Sequence, residues 1–142
     1  MKKILAFAFV FACLGLFGCD DGPAVAPVTG TITHDGEPLV GAMIEFQPDR
    51  GAPSYAESVE GGHYEVKYQT DRIGALLGHH YVNVTMAGEK TDPETDTTYN
   101  VPETVPRKYN DPTELEFEVK KGKNVFDIKI EGKRERRRRK RN

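Results

Sequence analysis

Val28-Thr29-Gly30-Thr31-Ile32-Thr33-His34-Asp35-Gly36-Glu37-Pro38-Leu39-Val40-Gly41-Ala42-Met43-Ile44-Glu45-Phe46 is the stretch that decides the fold. Val28, Gly30 and Ile32 fall on one parity and Thr29, Thr31 and Thr33 on the other, the two-residue period of a strand with one apolar face. Asp35-Gly36 is a tight-turn dipeptide. Ala42, Ile44 and Phe46 then alternate with Met43, Glu45 and Gln47 until Pro48 ends the strand.

The same pattern recurs outward. A weaker strand covers Tyr55 to Val59, and Gly61-Gly62 turns into Tyr64, Val66 and Tyr68. His80, Val82, Val84 and Met86 make the next inward set, then Leu115, Phe117 and Val119. Lys121-Gly122-Lys123 turns the chain into Phe126, Ile128 and Ile130. About seven short strands, with no competing amphipathic helix, predict an all-β, seven-stranded antiparallel sandwich over residues 27–131. Its expected core is Ile32, Ile44, Phe46, Val66, Val82, Val84, Phe117, Phe126 and Ile128. Ala87 to Asn110, rich in Thr, Asp, Glu and Pro, reads as a long polar connection and the least core-like part of the domain.

The chain has 142 residues, 37% hydrophobic and 30% charged, which suits one domain and is too polar for a multi-span membrane protein. Its formal charge of -2 conceals three unlike segments, the first being residues 1–18 with Lys2 and Lys3 as their only charges. Residues 19–132 carry 10 basic and 21 acidic side chains, whereas residues 133–142 carry 8 basic and 1 acidic. Residues 132–142 are expected to be a disordered basic tail, because they offer nothing apolar to bury. Through Lys133–Arg141 that tail suits contact with an envelope polyanion, and export argues against nucleic acid as a partner.

Lys2 and Lys3 precede an apolar run of 14 residues, Ile4–Phe17. The run falls short of the roughly 20 residues that a spanning helix needs and reads as a signal peptide over residues 1–18. Leu16-Phe17-Gly18-Cys19 resembles the lipobox of bacterial lipoproteins, with Phe17 bulkier than the usual residue there. The resemblance implies a diacylglycerol on Cys19, a tether over residues 19–26, and a chain lipid-anchored on the non-cytoplasmic side of a bacterial membrane. Cys13 leaves with the signal, so no disulfide and no cysteine-based metal site is expected.

Over residues 27–131 the chain resembles the carboxypeptidase regulatory-like family, which has a transthyretin-like (prealbumin-like) sandwich. Val28-Thr29-Gly30-Thr31-Ile32 leading into Asp35-Gly36-Glu37-Pro38-Leu39-Val40-Gly41-Ala42 is similar to the family's opening strand and turn. Glu60-Gly61-Gly62-His63-Tyr64-Glu65-Val66, Gly78-His79-His80-Tyr81-Val82-Asn83-Val84, Val105–Asn110 and Gly122–Asp127 follow in the family's order. The resemblance implies a noncatalytic interaction or structural module with no cofactor.

Several residues carry chemistry of their own. His34-Asp35-Gly36-Glu37 has the H-x-x-E spacing of two zinc ligands, but a catalytic zinc needs a third, and the turn reading explains these residues. His79-His80-Tyr81 invites comparison with the iron sites of intradiol dioxygenases. Adjacent strand residues point to opposite faces, however, so His79 and His80 are expected to be solvated and semi-buried respectively. Glu89, Asp92, Glu94 and Asp96 lack the spacing of a dedicated calcium loop. No catalytic, cofactor-binding or metal residue is therefore assigned. The alternatives are a carbohydrate-binding module stacking sugars on Tyr55, Tyr64, Tyr68, Tyr81, Tyr99 or Tyr109, and a small metal-dependent enzyme using His34, His79 or His80. The first requires an exposed aromatic pair and the second requires convergence in one pocket.

Overall fold

The computed structural model describes residues 22–69 and 72–132. Its strands are β1 (Val25–Ala26), β2 (Val28–His34), β3 (Glu37–Pro38), β4 (Met43–Pro48) and β5 (Ser54–Glu57). There follow β6 (His63–Glu65), β7 (Lys67–Tyr68), β8 (Arg72–Ile73), β9 (Ala75–Leu76) and β10 (Gly78–Thr85). The last are β11 (Gly88–Thr91), β12 (Thr98–Val101), β13 (Glu116–Val119), β14 (Asn124–Val125) and β15 (Ile128–Ile130). Short 3-10 turns at Glu60–Gly62 and Arg107–Tyr109 are the helical elements of the described residues.

The protein is an all-β sandwich. One sheet has the order β13-β10-β4-β5-β7-β8, and the other places β2 between β14 and β15 on one side and β3 and β6 on the other. Period-two patterning sets which side chains enter the space between them. Ile44 and Phe46 of β4, Val82 and Val84 of β10, Val66, and Val28 and Ile32 of β2 are fully buried. The chain from His63 to Tyr68 belongs to both layers, since β6 pairs with β2 and β7 with β5. Phe46 sits at the centre, 6.0 to 6.5 Å ring to ring from Tyr64, His80, Phe117 and Phe126. Phe117 and Phe126 stack at 4.5 Å at the rim and are only half-buried, where the sequence pattern expects full burial.

Three details differ from the antiparallel sandwich over residues 27–131 that the sequence predicts. First, β14 and β15 run parallel to β2. The Lys121–Lys123 turn carries the chain from β13 in one sheet to β14 in the other instead of closing a hairpin within one sheet. Second, β1 pairs with β9 and buries Ala26, so regular structure begins before Pro27. Third, the 87–110 connection contains a β11–β12 hairpin and sends Val105 and Tyr109 into the core.

That connection is fastened by one carboxylate. Glu103 accepts hydrogen bonds from the Thr85 hydroxyl, from Met86 N at 3.1 Å, Val105 N at 2.8 Å and Thr104 N at 2.9 Å, and from Asn110 Nδ2 at 3.2 Å. Burial pushes its pKa up, but the bonds from Thr85, Val105, Met86 and Ala87 outweigh this and hold the carboxyl below its ordinary value. The hairpin is pinned separately, by Lys90 Nζ donating to Gly41 O and Glu57 Oε1, both at 2.7 Å.

Two turn and strand positions explain their residues. Asp35 (φ 51°) and Gly36 (φ 85°) both take left-handed backbone, the conformation of a two-residue hairpin turn between β2 and β3. Gly30 has ordinary φ, but a Cβ there would lie 1.9 Å from Phe126 O and 2.9 Å from the Tyr64 hydroxyl. The Tyr64 hydroxyl donates to that same Phe126 carbonyl.

Candidate functional site

The outer face of the six-stranded sheet collects the side chains that the core alternation turns outward. Glu45 on β4 lies directly between Tyr55 on β5 and Asn83 on β10, and Tyr81 lies opposite Gln47. Tyr55 hydroxyl donates to Glu45 Oε1 at 3.2 Å, and Asn83 Nδ2 donates to Glu45 Oε2 at 3.0 Å. Partial burial, together with the Glu45 charge and hydrogen bond, raises the Tyr55 phenol above its ordinary pKa. Both rings stay open to solvent, Tyr55 at 46% and Tyr81 at 45% exposure.

Tyr55 also lines an open groove of about 940 Å³. Met43, Val59 and Val125 supply its apolar wall, Thr29, Thr31, His63, Glu65 and Asp127 supply polar groups from β2 and the segments beside it, and Lys67 comes from β7, opposite Tyr55. Asp127 accepts from Thr31 N at 2.9 Å and Thr31 Oγ1 at 2.8 Å, and these two bonds hold its carboxyl below the ordinary range. Beneath it, burial and then the Asp127 charge push the Tyr64 phenol far up, so it stays a neutral donor.

The histidines do not converge. His34 is buried at the end of β2, its Nε2 donating to Gly132 O at 2.9 Å, while Nδ1 has no partner. His80 is wholly buried on the inner face of β10, edge-on to Phe46, with Nδ1 3.0 Å from Gly78 O and Nε2 unpartnered. Burial lowers its pKa. It is thus deeper than the semi-buried position expected from sequence. His79 points to the opposite face, with Asp49 at Nδ1 and Glu116 at Nε2, both at 3.4 Å. The Glu116 hydrogen bond, then Asp49, raises its pKa. Carboxylates on opposite edges of one ring cannot chelate a common ion, and no group of three or more metal-ligating side chains assembles among the described residues.

The remaining sequence candidates are placed as follows. Asp92 caps its own turn, Oδ1 accepting from Glu94 N at 2.8 Å. Tyr64, Tyr68 and Tyr109 are core residues, and Tyr99 is exposed on the β11–β12 hairpin. Cys19 and Lys133–Arg141 lie outside the described residues. Among the described residues no helix is long and apolar enough to cross a membrane. Sequence reasoning missed the Glu45–Asn83 link and the Glu103 hub. An acid in a polar loop carries no pattern, whereas the outward parity of Tyr55, Glu45, Asn83 and Tyr81 was there to be combined.

No protein-family model and no curated protein sequence matches the chain. Among solved structures, catechol 1,2-dioxygenase from Acinetobacter sp. ADP1, inhibited by bound mercury, is similar at 17% identity and a TM-score of 0.38. The match covers 80% of this chain and 54% of that one, so the chain spans about half the length of that enzyme.

Proposed function

We propose that the protein is a noncatalytic interaction module, held on the non-cytoplasmic side of a bacterial membrane by a lipid on Cys19. The carboxypeptidase regulatory-like, transthyretin-like resemblance of residues 27–131 belongs to this proposal, as does contact of Lys133–Arg141 with an envelope polyanion. The observation that carries it is the gathering of exposed apolar side chains. Of the eight large hydrophobic residues exposed among the described residues, Met43, Tyr55, Val59 and Val125 line one groove. Soluble domains seldom leave such a patch uncovered unless it binds something. A lipid anchor with two or more acyl chains gives stable attachment and would keep this surface beside the envelope.

The test is fractionation with mass spectrometry of the native protein. Acylated Cys19 at the mature N-terminus, and release of Cys19→Ala from the membrane fraction, are the expected results. An unmodified chain starting elsewhere, free of the membrane, would overturn the anchored reading.

A further inference from the structure

We infer that the outer face of the six-stranded sheet binds a neutral or amino-substituted glycan, with Tyr55 and Tyr81 as stacking platforms and the groove beside Tyr55 as the extension of the site. This deepens the binding-module reading and rests on it. Tyr55 and Tyr81 are separated by two strand spacings and two residues along the strand, about 12 Å between Cα atoms. That span fits a short oligosaccharide laid across β5, β4 and β10. Between the rings lie Glu45, Asn83 and Gln47, a carboxylate and two amides whose planar ends suit paired sugar hydroxyls.

The polar groups are already oriented. Glu45 holds both the Tyr55 hydroxyl and the Asn83 amide, and Gln47 Nε2 donates to Pro48 O at 3.3 Å. Tyr81 is braced edge-on by His79, with ring centroids 5.0 Å apart, and His79 is itself held between Asp49 and Glu116. Rings and amides fixed before binding lose less freedom on binding.

The position and charge of the face narrow the occupant. Strands β4 and β10 are each paired on both sides, so no backbone groups are left there for an added peptide strand, and recognition must come from side chains. Aromatic faces meet the apolar C–H face of a pyranose, and fixed polar groups meet its hydroxyls. Glu45 faces outward on β4, Asp49 follows the strand and lies against His79, and Glu116 on β13 lies opposite Tyr81, while Lys67 on β7 lies opposite Tyr55. Three carboxylates against one lysine leave the face net acidic, which disfavours phosphorylated, sulfated and uronate ligands.

The experiment titrates the mature protein, in detergent, with chitohexaose, cellohexaose, xylohexaose, mannohexaose and, as an acidic control, polygalacturonate. Binding is read by calorimetry and by ring signals of isotopically labelled tyrosine, a direct probe in a chain with 6 Tyr and no Trp. At least one neutral or amino oligosaccharide should shift the Tyr55 and Tyr81 signals, and polygalacturonate should shift neither. Tyr55→Ala and Tyr81→Ala should each weaken binding at least tenfold, whereas Val40→Ala, at an exposed position outside the groove lining, should leave it unchanged. Unaltered thermal unfolding of the two exposed variants would show that the loss is local. The inference is overturned if none of the four neutral or amino oligosaccharides binds, or if binding survives the double Tyr55→Ala/Tyr81→Ala change. Neither result touches the lipid anchor, which the fractionation test decides separately.

Discussion

Gly30→Ala isolates the tightest contact in the sandwich. Ordinary carbon contacts begin near 3.4 Å, and the new Cβ would lie 1.9 Å from the Phe126 carbonyl oxygen. Neither partner can rotate away, because both belong to backbone. Parting β2 from the segment after β14 also strains the bond from Phe126 N to Thr29 O, now 2.9 Å, and pulls Phe126 O from the Tyr64 hydroxyl. Overpacking of this kind costs about 1–3 kcal/mol, and a buried hydroxyl left without its acceptor costs about 1–3 kcal/mol more. The expected loss is therefore about 2–6 kcal/mol, a large part of the roughly 5–15 kcal/mol that holds a domain folded. Urea unfolding at equilibrium measures it, with Gly88→Ala as the control. A Cβ at Gly88 meets nothing within 4 Å, so that variant should stay within about 0.5 kcal/mol of wild type. Overlaying curves for Gly30→Ala and wild type would refute the close-approach argument.

Phe46→Ala should cost about 3–5 kcal/mol, since the ring is fully buried among four others, and half-buried Phe126 should cost clearly less; equal losses in denaturant titrations would contradict the packing described. In histidine NMR titrations His79 should titrate above, and His80 below, the ordinary value of about 6.5. His79 then adds stability that is full below that value and lost as pH rises through its folded pKa. Stability from burying neutral His80 is present above about 6.5 and lost as pH falls toward its folded pKa. Reversed midpoints would remove the basis for both assignments. Glu103→Gln should cost about 1–3 kcal/mol by weakening charge-assisted bonds, and should flatten the loss of stability on acidification below about pH 4.3, where the depressed carboxyl contributes. Hydrogen exchange in residues 101–110 that matches wild type would count against that role.

The strand plan was legible because parity is a strong signal. Val28, Ile32, Ile44, Phe46, Tyr64, Val66, Val82, Val84, Ile128 and Ile130 all sit inward as alternation requires. Parity fixes a face but not a partner. It could not show that β15 returns beside β2 in parallel, nor that two residues as short as Val25–Ala26 join the structure through β9. Phe117 and Phe126 had the right parity but stand at the rim, and depth depends on how far the sheets overlap. Asp35-Gly36 was readable as a turn from composition alone. Gly30 was visible only as a motif glycine, because its reason, the Phe126 carbonyl, comes from 96 residues further along the chain. The candidate face was half legible. Outward tyrosines follow from parity, but which of six tyrosines share one surface depends on strand order.

The parallel pairing of β2 with β14 and β15 has a mechanical consequence. Once Val25–Ala26 is drawn off β9, tension between the segment before Val28 and the segment after Ile130 pulls two neighbouring strands in opposite directions along their length. The register from Val28 with Asn124 to His34 with Ile130 is then loaded in shear, with its hydrogen bonds sharing the force at once. In an antiparallel terminal pair the same pull would open the bonds one by one from the end, like a zip. A domain drawn from both ends is thus fastened where the load enters, and the sheet carrying Tyr55 and Tyr81 lies outside the line of force.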